Sequence, residues 1–208
     1  MLKKLTLLLV GIGMGFAQFT WAAGNPEKGK ALYAVCVACH GTDGAGNKAL
    51  NSPRIAGQEI WYLERQLKNF KTGVRGANSK DVYGMQMRPM AMTLPNDQAI
   101  ADVAAYVNGL KAKPPVAKIK GDTSAGKAAY MICQTCHGAN GEGNKALNAP
   151  KLINQQDWYM VRQLKGFKEG LRGTHPKDVY GMQMRPMSMT LADDKAINNV
   201  VSYIVTFK

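Results

Sequence analysis

Apolar positions along the chain recur at helical spacing, and they do so twice. Ile100, Val103, Ala104 and Val107 follow the i, i+3, i+4, i+7 pattern of a helix that buries one face. They predict a helix from about Asn96 to Leu110. Ile197, Val200, Val201 and Ile204 repeat the pattern near the end of the chain. An earlier helix is expected near Pro26 to Val35, with Gly29 and Tyr33 four apart on one face; Gly126 and Tyr130 fill these places later. A glycine there lets another helix approach closely. A middle helix is expected from Trp61 to about Lys71, stopped by Gly73, and its copy starts at Trp158 and is stopped by Gly170. No stretch alternates long enough to make a convincing strand. The pattern predicts an all-α fold.

An offset of 97 residues, from Cys36 to Cys133, maps the first half onto the second without a gap. His40 falls on His137, Pro53 on Pro150, Trp61 on Trp158 and Tyr106 on Tyr203. Lys80 to Leu94 matches Lys177 to Leu191 everywhere except Ala91, which becomes Ser188. Two copies of one unit are therefore expected, over residues 23–110 and 122–208. Residues 111–121 form the linker, in which Pro114-Pro115 forbids helix and favours an extended path. A linker this short predicts that the units pack against each other. Each unit is small for a protein core and would gain from a large apolar body to pack around.

Composition changes the picture at the N-terminus. Of 208 residues 46% are apolar, as in globular protein. The first 22 read as a signal peptide: Lys3 and Lys4, an apolar run from Leu5 to Phe19, then small residues at Thr20-Trp21-Ala22. The run is shorter than the ~20 residues of a spanning helix. Cleavage after Ala22 and export to the periplasm are expected.

The candidate chemistry lies in Cys36-Val37-Ala38-Cys39-His40 and Cys133-Gln134-Thr135-Cys136-His137, which together use all four cysteines. Two disulfides, a redox dithiol or a zinc site are the alternatives. Zinc would draw both C-x-x-C pairs to one ion, and a disulfide has no need of the adjacent histidine. In C-x-x-C-H the thiols suit addition to the two vinyl groups of a haem, and the imidazole then lies against the iron. Two haem c groups are expected, attached through Cys36, Cys39, Cys133 and Cys136, with His40 and His137 as iron ligands.

The formal charge of +13 becomes about +11 without Lys3 and Lys4. A cationic surface favours an acidic protein partner or peripheral association with an anionic membrane; export argues against nucleic acid.

The second face of each iron decides between carrier and catalyst. Gly84-Met85-Gln86-Met87-Arg88-Pro89-Met90-Ala91-Met92 and its copy Gly181 to Met189 each offer four methionines. A soft thioether there makes an electron carrier and raises the potential. Most of the eight read as flexible filler. The repeat cannot choose among them, because all four are duplicated.

Two C-x-x-C-H units of this size, each with a downstream Met-x-Met-Arg segment and a terminal helix ending in an aromatic, resemble the exported dihaem cytochromes of the cytochrome c4 family over nearly all of the mature chain. The resemblance implies two tandem class I cytochrome c domains, each packed around one covalently attached haem. It implies Met87 and Met184 as the second ligands, each just before an arginine and seven residues before a leucine; Met90 and Met187 are the runners-up. It implies that the Pro53 and Pro150 carbonyls accept the imidazole N–H, and that Tyr62 and Tyr159 lie near a haem propionate. Trp61 and Trp158 depart from the family and receive no role. Arg75, Arg88, Arg172 and Arg185 are candidates to neutralise propionates, with solvated surface as the alternative for Arg75 and Arg172. His175, whose counterpart is Asn78, is expected at the surface.

The function implied is a periplasmic electron carrier, not an enzyme, passing electrons from a cytochrome bc complex to a terminal oxidase such as the cbb3 type. The alternatives are a dihaem peroxidase-like, thiosulfate or nitrite enzyme, or the cytochrome subunit of a sulfide-oxidising flavocytochrome.

Overall fold

The computed structural model describes residues 23–208; the expected signal peptide lies outside the described residues. Ten α-helices and one short 3-10 helix are present among them, with two isolated β-bridges and no named strand. None of these helices is long and apolar enough to cross a membrane.

In the first unit α1 spans Pro26–Leu32, α2 Ala34–His40, α3 Ile60–Lys71, α4 Val82–Met92 and α5 Asp97–Gly109. The second unit repeats them as α6 Thr123–Tyr130, α7 Gln134–His137, α8 Asp157–Lys168, α9 Val179–Met189 and α10 Asp194–Ile204. The capping chemistry explains the starts. The Asn25 side chain accepts from the Glu27 and Lys28 amides, with Pro26 in the first turn. Asn96 accepts from the Ala99 amide. Gly73, at φ 78°, ends α3 where the sequence predicts it.

Two features differ from the periodicity. The first helix pauses at Tyr33, and a separate helix carries the C-x-x-C-H stretch. Tyr33 is buried, and its hydroxyl donates to the Gly41 carbonyl at 2.8 Å, closing the far end of α2. The methionine stretches are helices too. Pro89 and Pro186 sit inside them and hide the helical pattern. The Asp81 and Asp178 side chains cap their starts, on the Gly84 and Gly181 amides.

The expected close approach is made. Gly29 packs directly on the backbone of α5 at Asp102, and Gly126 on α10 at Asn199. Ile100, Val103, Ala104 and Val107 join Tyr33, Leu63 and Leu94 in one core cluster. Ile197, Val200, Val201 and Ile204 join Tyr130, Met160 and Leu191 in the other. Replacing Tyr33 with phenylalanine leaves the Gly41 carbonyl without its partner. It is expected to lower the stability of this unit by about 1 kcal/mol, read as a lower urea midpoint.

The units pack against each other through a reciprocal set of hydrogen bonds. Gln58 donates to the Lys151 carbonyl, and its copy Gln155 donates to the Arg54 carbonyl. The Lys151 amide donates to Glu59, and the Arg54 amide to Gln156, the copy of Glu59. These four contacts form two mirrored pairs, so this part of the interface behaves as a two-fold interface within one chain. The linker is tied down where the Lys118 and Ile119 amides donate to buried Asp157.

Candidate functional site

His40 is the last residue of α2, and the chain turns away at Gly41 with φ 80°. The ring is buried, and Nδ1 lies 2.8 Å from the Pro53 carbonyl oxygen. A carbonyl only accepts, so Nδ1 carries the proton and Nε2 keeps its lone pair. Burial pushes the His40 pKa below its usual value, and the Pro53 carbonyl opposes this. His137 repeats the arrangement with the Pro150 carbonyl at 2.8 Å. Its pKa is also lowered by burial, against the Pro150 carbonyl and the Glu59 charge. Each ring is thus neutral, oriented and free to donate an electron pair.

Cys36 and Cys133 are half-buried, and Cys39 and Cys136 are exposed. Burial, then the neighbouring cysteine, pushes the Cys36 and Cys133 thiols up to about 11. Among the described residues no group of three or more His, Cys, Asp or Glu gathers as a metal cluster would require. The zinc alternative therefore lacks its donor set.

A cavity of about 610 Å³ opens beside the first motif, lined by Cys36, Cys39, His40, Pro53, Tyr62 and Met87. That size suits an organic cofactor. A second cavity, of about 160 Å³, is lined by Cys133, His137, Pro150, Tyr159 and Met184. Tyr62, Tyr159, Gln66, Gln163 and Arg172 line both cavities, so the two meet at the domain boundary.

The fold narrows the methionines from four to two per unit. Met87 and Met90 line the first cavity, Met184 and Met187 the second. Met85, Met92, Met182 and Met189 line neither and are exposed. Helical geometry gives the reason. Met87 is one turn from buried Gly84 and from buried Ala91, on the inward face of α4. It is half-buried, whereas Met90 is 38% exposed.

The arginines settle an open alternative. Arg75 and Arg172 are only 7% and 9% exposed, so they are not solvated surface. Arg75 donates to Gln66 at 2.6 Å and to Gln163 at 3.3 Å; Arg172 donates to Gln163 at 2.5 Å and to Gln66 at 3.4 Å. Two cations and two amides form a closed ring at the domain boundary. Burial, then the Arg172 charge, lowers the Arg75 pKa. The buried Nε atoms of Arg75, Arg88, Arg172 and Arg185 have no hydrogen-bond partner among the described residues. Buried like charges with unused donors call for anions. The arrangement of thiols, a neutral imidazole, a thioether and cationic donors around an apolar cavity fits a haem with two carboxylate arms. Sequence reasoning missed Gln66 and Gln163. Their preservation across the repeat, on a helix beside the cavity, is the signal that could have found them.

His175 stands in the turn before α9, where Nδ1 accepts from the Lys177 amide at 3.1 Å, and it lines neither cavity.

The cytochrome c family model matches this chain twice, over residues 26–111 and 123–208. Cytochrome c4 of Azotobacter vinelandii is 37% identical over 97% of both chains, and cytochrome c4 of Stutzerimonas stutzeri shares the same identity and coverage. A thiosulfate dehydrogenase electron acceptor of Thiomonas intermedia is 31% identical over 95% of this chain and 88% of its own length. Among solved structures, reduced cytochrome c4 from Pseudomonas stutzeri superimposes with a TM-score of 0.72 at 32% identity, over 89% of this chain and all of its own. With two C-x-x-C-H motifs, two tandem cytochrome c units and cytochrome c4 relatives matched over almost their full length, this chain belongs to the dihaem cytochrome c4 family of electron-transfer proteins and binds two haem c groups.

Proposed function

We propose that this chain is a periplasmic electron carrier with two His/Met-ligated haems, His40 with Met87 and His137 with Met184, and that it takes electrons from a cytochrome bc complex to a terminal oxidase. The observation that carries the reading is the duplicated pairing of a proline-oriented imidazole with a cavity-lining methionine. Bound haem supplies a reversible one-electron iron couple. The residues do the rest. The Pro53 and Pro150 carbonyls hold the imidazole tautomer and raise its basicity. Met87 and Met184 line the cavities and would hold the iron in place of an exogenous ligand, which favours carrier over enzyme. Arg75 and Arg172, fixed by Gln66 and Gln163, hold positive charge for the propionates, and Tyr62 and Tyr159 add hydroxyls beside them.

A redox titration followed by absorption spectroscopy tests this. Two haems and two Met-sulfur-to-Fe(III) charge-transfer bands per chain are expected. One band, with a second haem that readily takes cyanide or peroxide, would point to an enzyme instead.

With 27 Lys and Arg against 14 Asp and Glu, docking should be electrostatically steered. The rate of electron transfer to an acidic partner is expected to fall severalfold as ionic strength rises and the Debye length shrinks from about 30 Å at 0.01 M to about 10 Å at 0.1 M. A rate indifferent to salt, measured by stopped flow, would remove this part of the reading.

The name of the Thiomonas relative favours a second reading of the donor, namely a thiosulfate-oxidising enzyme. Comparing reduction rates with a bc complex and with thiosulfate dehydrogenase as the donor would decide between them.

A further inference from the structure

We propose that Arg65 and Arg162 are crossed positioning residues, each rooted in one domain and holding both walls of the other domain's haem pocket. Arg65 lies on α3, one turn after Trp61. Its guanidinium carbon is 4.8 Å from the Trp61 ring centroid and 4.1 Å from that of Tyr180, which belongs to α9 of the other domain. The same guanidinium donates to the carbonyl of Asn148 at 3.3 Å and also to the Asn148 side-chain oxygen. Asn148 adopts a left-handed conformation, φ 58°, two residues before Pro150. The Pro150 carbonyl in turn holds His137.

Arg162 mirrors every contact. It lies 4.8 Å from the Trp158 ring and 3.9 Å from the Tyr83 ring on α4. It donates to the Asn51 carbonyl at 3.2 Å and to Asn51 Oδ1 at 2.5 Å. Asn51, also at φ 58°, precedes Pro53 by two residues.

The placement of these contacts gives them their meaning. Tyr180 stands one helical turn before Met184, and Tyr83 one turn before Met87. One planar cation therefore grips the segment that orients the histidine and the helix that presents the methionine, in the opposite domain. Only arginine has two faces for rings and a fork for a carbonyl and an amide oxygen together. Trp61 and Trp158 gain a role as the shelves on which these arginines rest. Simple interface adhesion would loosen both domains alike; a crossed clasp acts on one.

Two readouts on the haem-loaded protein decide this. In Arg65→Gln, amide hydrogen exchange is expected to become about tenfold faster in α9 but not in α4, and in Arg162→Gln the reverse. Tyr180→Phe, which keeps an aromatic face, should match the parent, while Tyr180→Leu should reproduce Arg65→Gln. Equal loosening of α4 and α9, loosening of the variant's own domain, or no change would overturn the proposal. The second readout rests on the Met87 and Met184 assignment. In a Met87→Ala background one charge-transfer band remains; adding Arg65→Gln should weaken it, and adding Arg162→Gln should not. A remaining band that ignores Arg65→Gln would break the link between clasp and pocket. If Met87→Ala alone spares both bands, the ligand assignment fails, and the exchange readout still decides the clasp.

Discussion

Met87→Ala is expected to lower the reduction potential of the N-terminal haem while leaving the C-terminal haem unchanged. The thioether favours Fe(II), so its loss removes the preference that raises the potential. The drop should be on the order of 100 mV, a modest part of the roughly 0.8 V that axial ligands span. The haem should also take up imidazole or cyanide, because alanine leaves the position open. Met87 reaches the cavity from the inward face of α4, beside buried Gly84 and Ala91, so removing its side chain leaves that helix face intact. Met184→Ala should transfer the same effects to the other haem. If Met87→Ala changes neither spectrum nor potential, the ligand is Met90, which shares the cavity.

Gly29→Ala is expected to destabilise the first unit strongly. A Cβ at Gly29 would lie 2.0 Å from the Asp102 carbonyl oxygen, 2.5 Å from its carbon and 2.9 Å from Tyr106 Cβ. Two of those atoms are backbone inside α5 and cannot rotate away. The helix α1 must lift instead. That strains the hydrogen bond from the Asn25 amide to Asp102, 2.7 Å, and the Tyr33–Tyr106 ring contact at 5.4 Å. The cost should reach about 3 kcal/mol. For a unit of this size that is a fall in melting temperature on the order of 10–20 °C, measured by calorimetry of the haem-loaded protein. Gly126→Ala meets the Asn199 carbonyl at 2.0 Å and should behave alike. A Cβ at Gly109 would meet no packing neighbour within 4 Å among the described residues, so Gly109→Ala serves as the control and should cost nothing. A Gly29→Ala protein as stable as that control would mean the helix crossing is looser than described.

How much could be read from the sequence depended on how far apart the interacting residues are. The faces of α5 and α10 were legible because a helix writes its buried side at a fixed period, and α3 and α8 were legible from the glycines that stop them. The Gly29 and Gly126 contacts were legible because a glycine opposite a long apolar face has one common use. The helices α4 and α9 were not read, since Pro89 and Pro186 break the local pattern while the Asp81 and Asp178 caps sustain the helix. The surface alternative for Arg75 and Arg172 failed because each lies over a phenylalanine of its own domain and hydrogen-bonds a glutamine from the opposite domain as well as its own.

The sequence by itself determined that the chain attaches two haems and is one unit written twice. Covalent attachment needs two thiols and an imidazole at fixed local spacing, and a tandem repeat is visible in any comparison of the chain with itself. Only the tertiary structure decided which methionines face the cavities, that Arg75 and Arg172 are buried cations with no acid paired to them among the described residues, and that Trp61 and Trp158 shelve arginines reaching into the other domain. These depend on helix orientation and on contacts between residues about a hundred positions apart, and local periodicity holds no information about either.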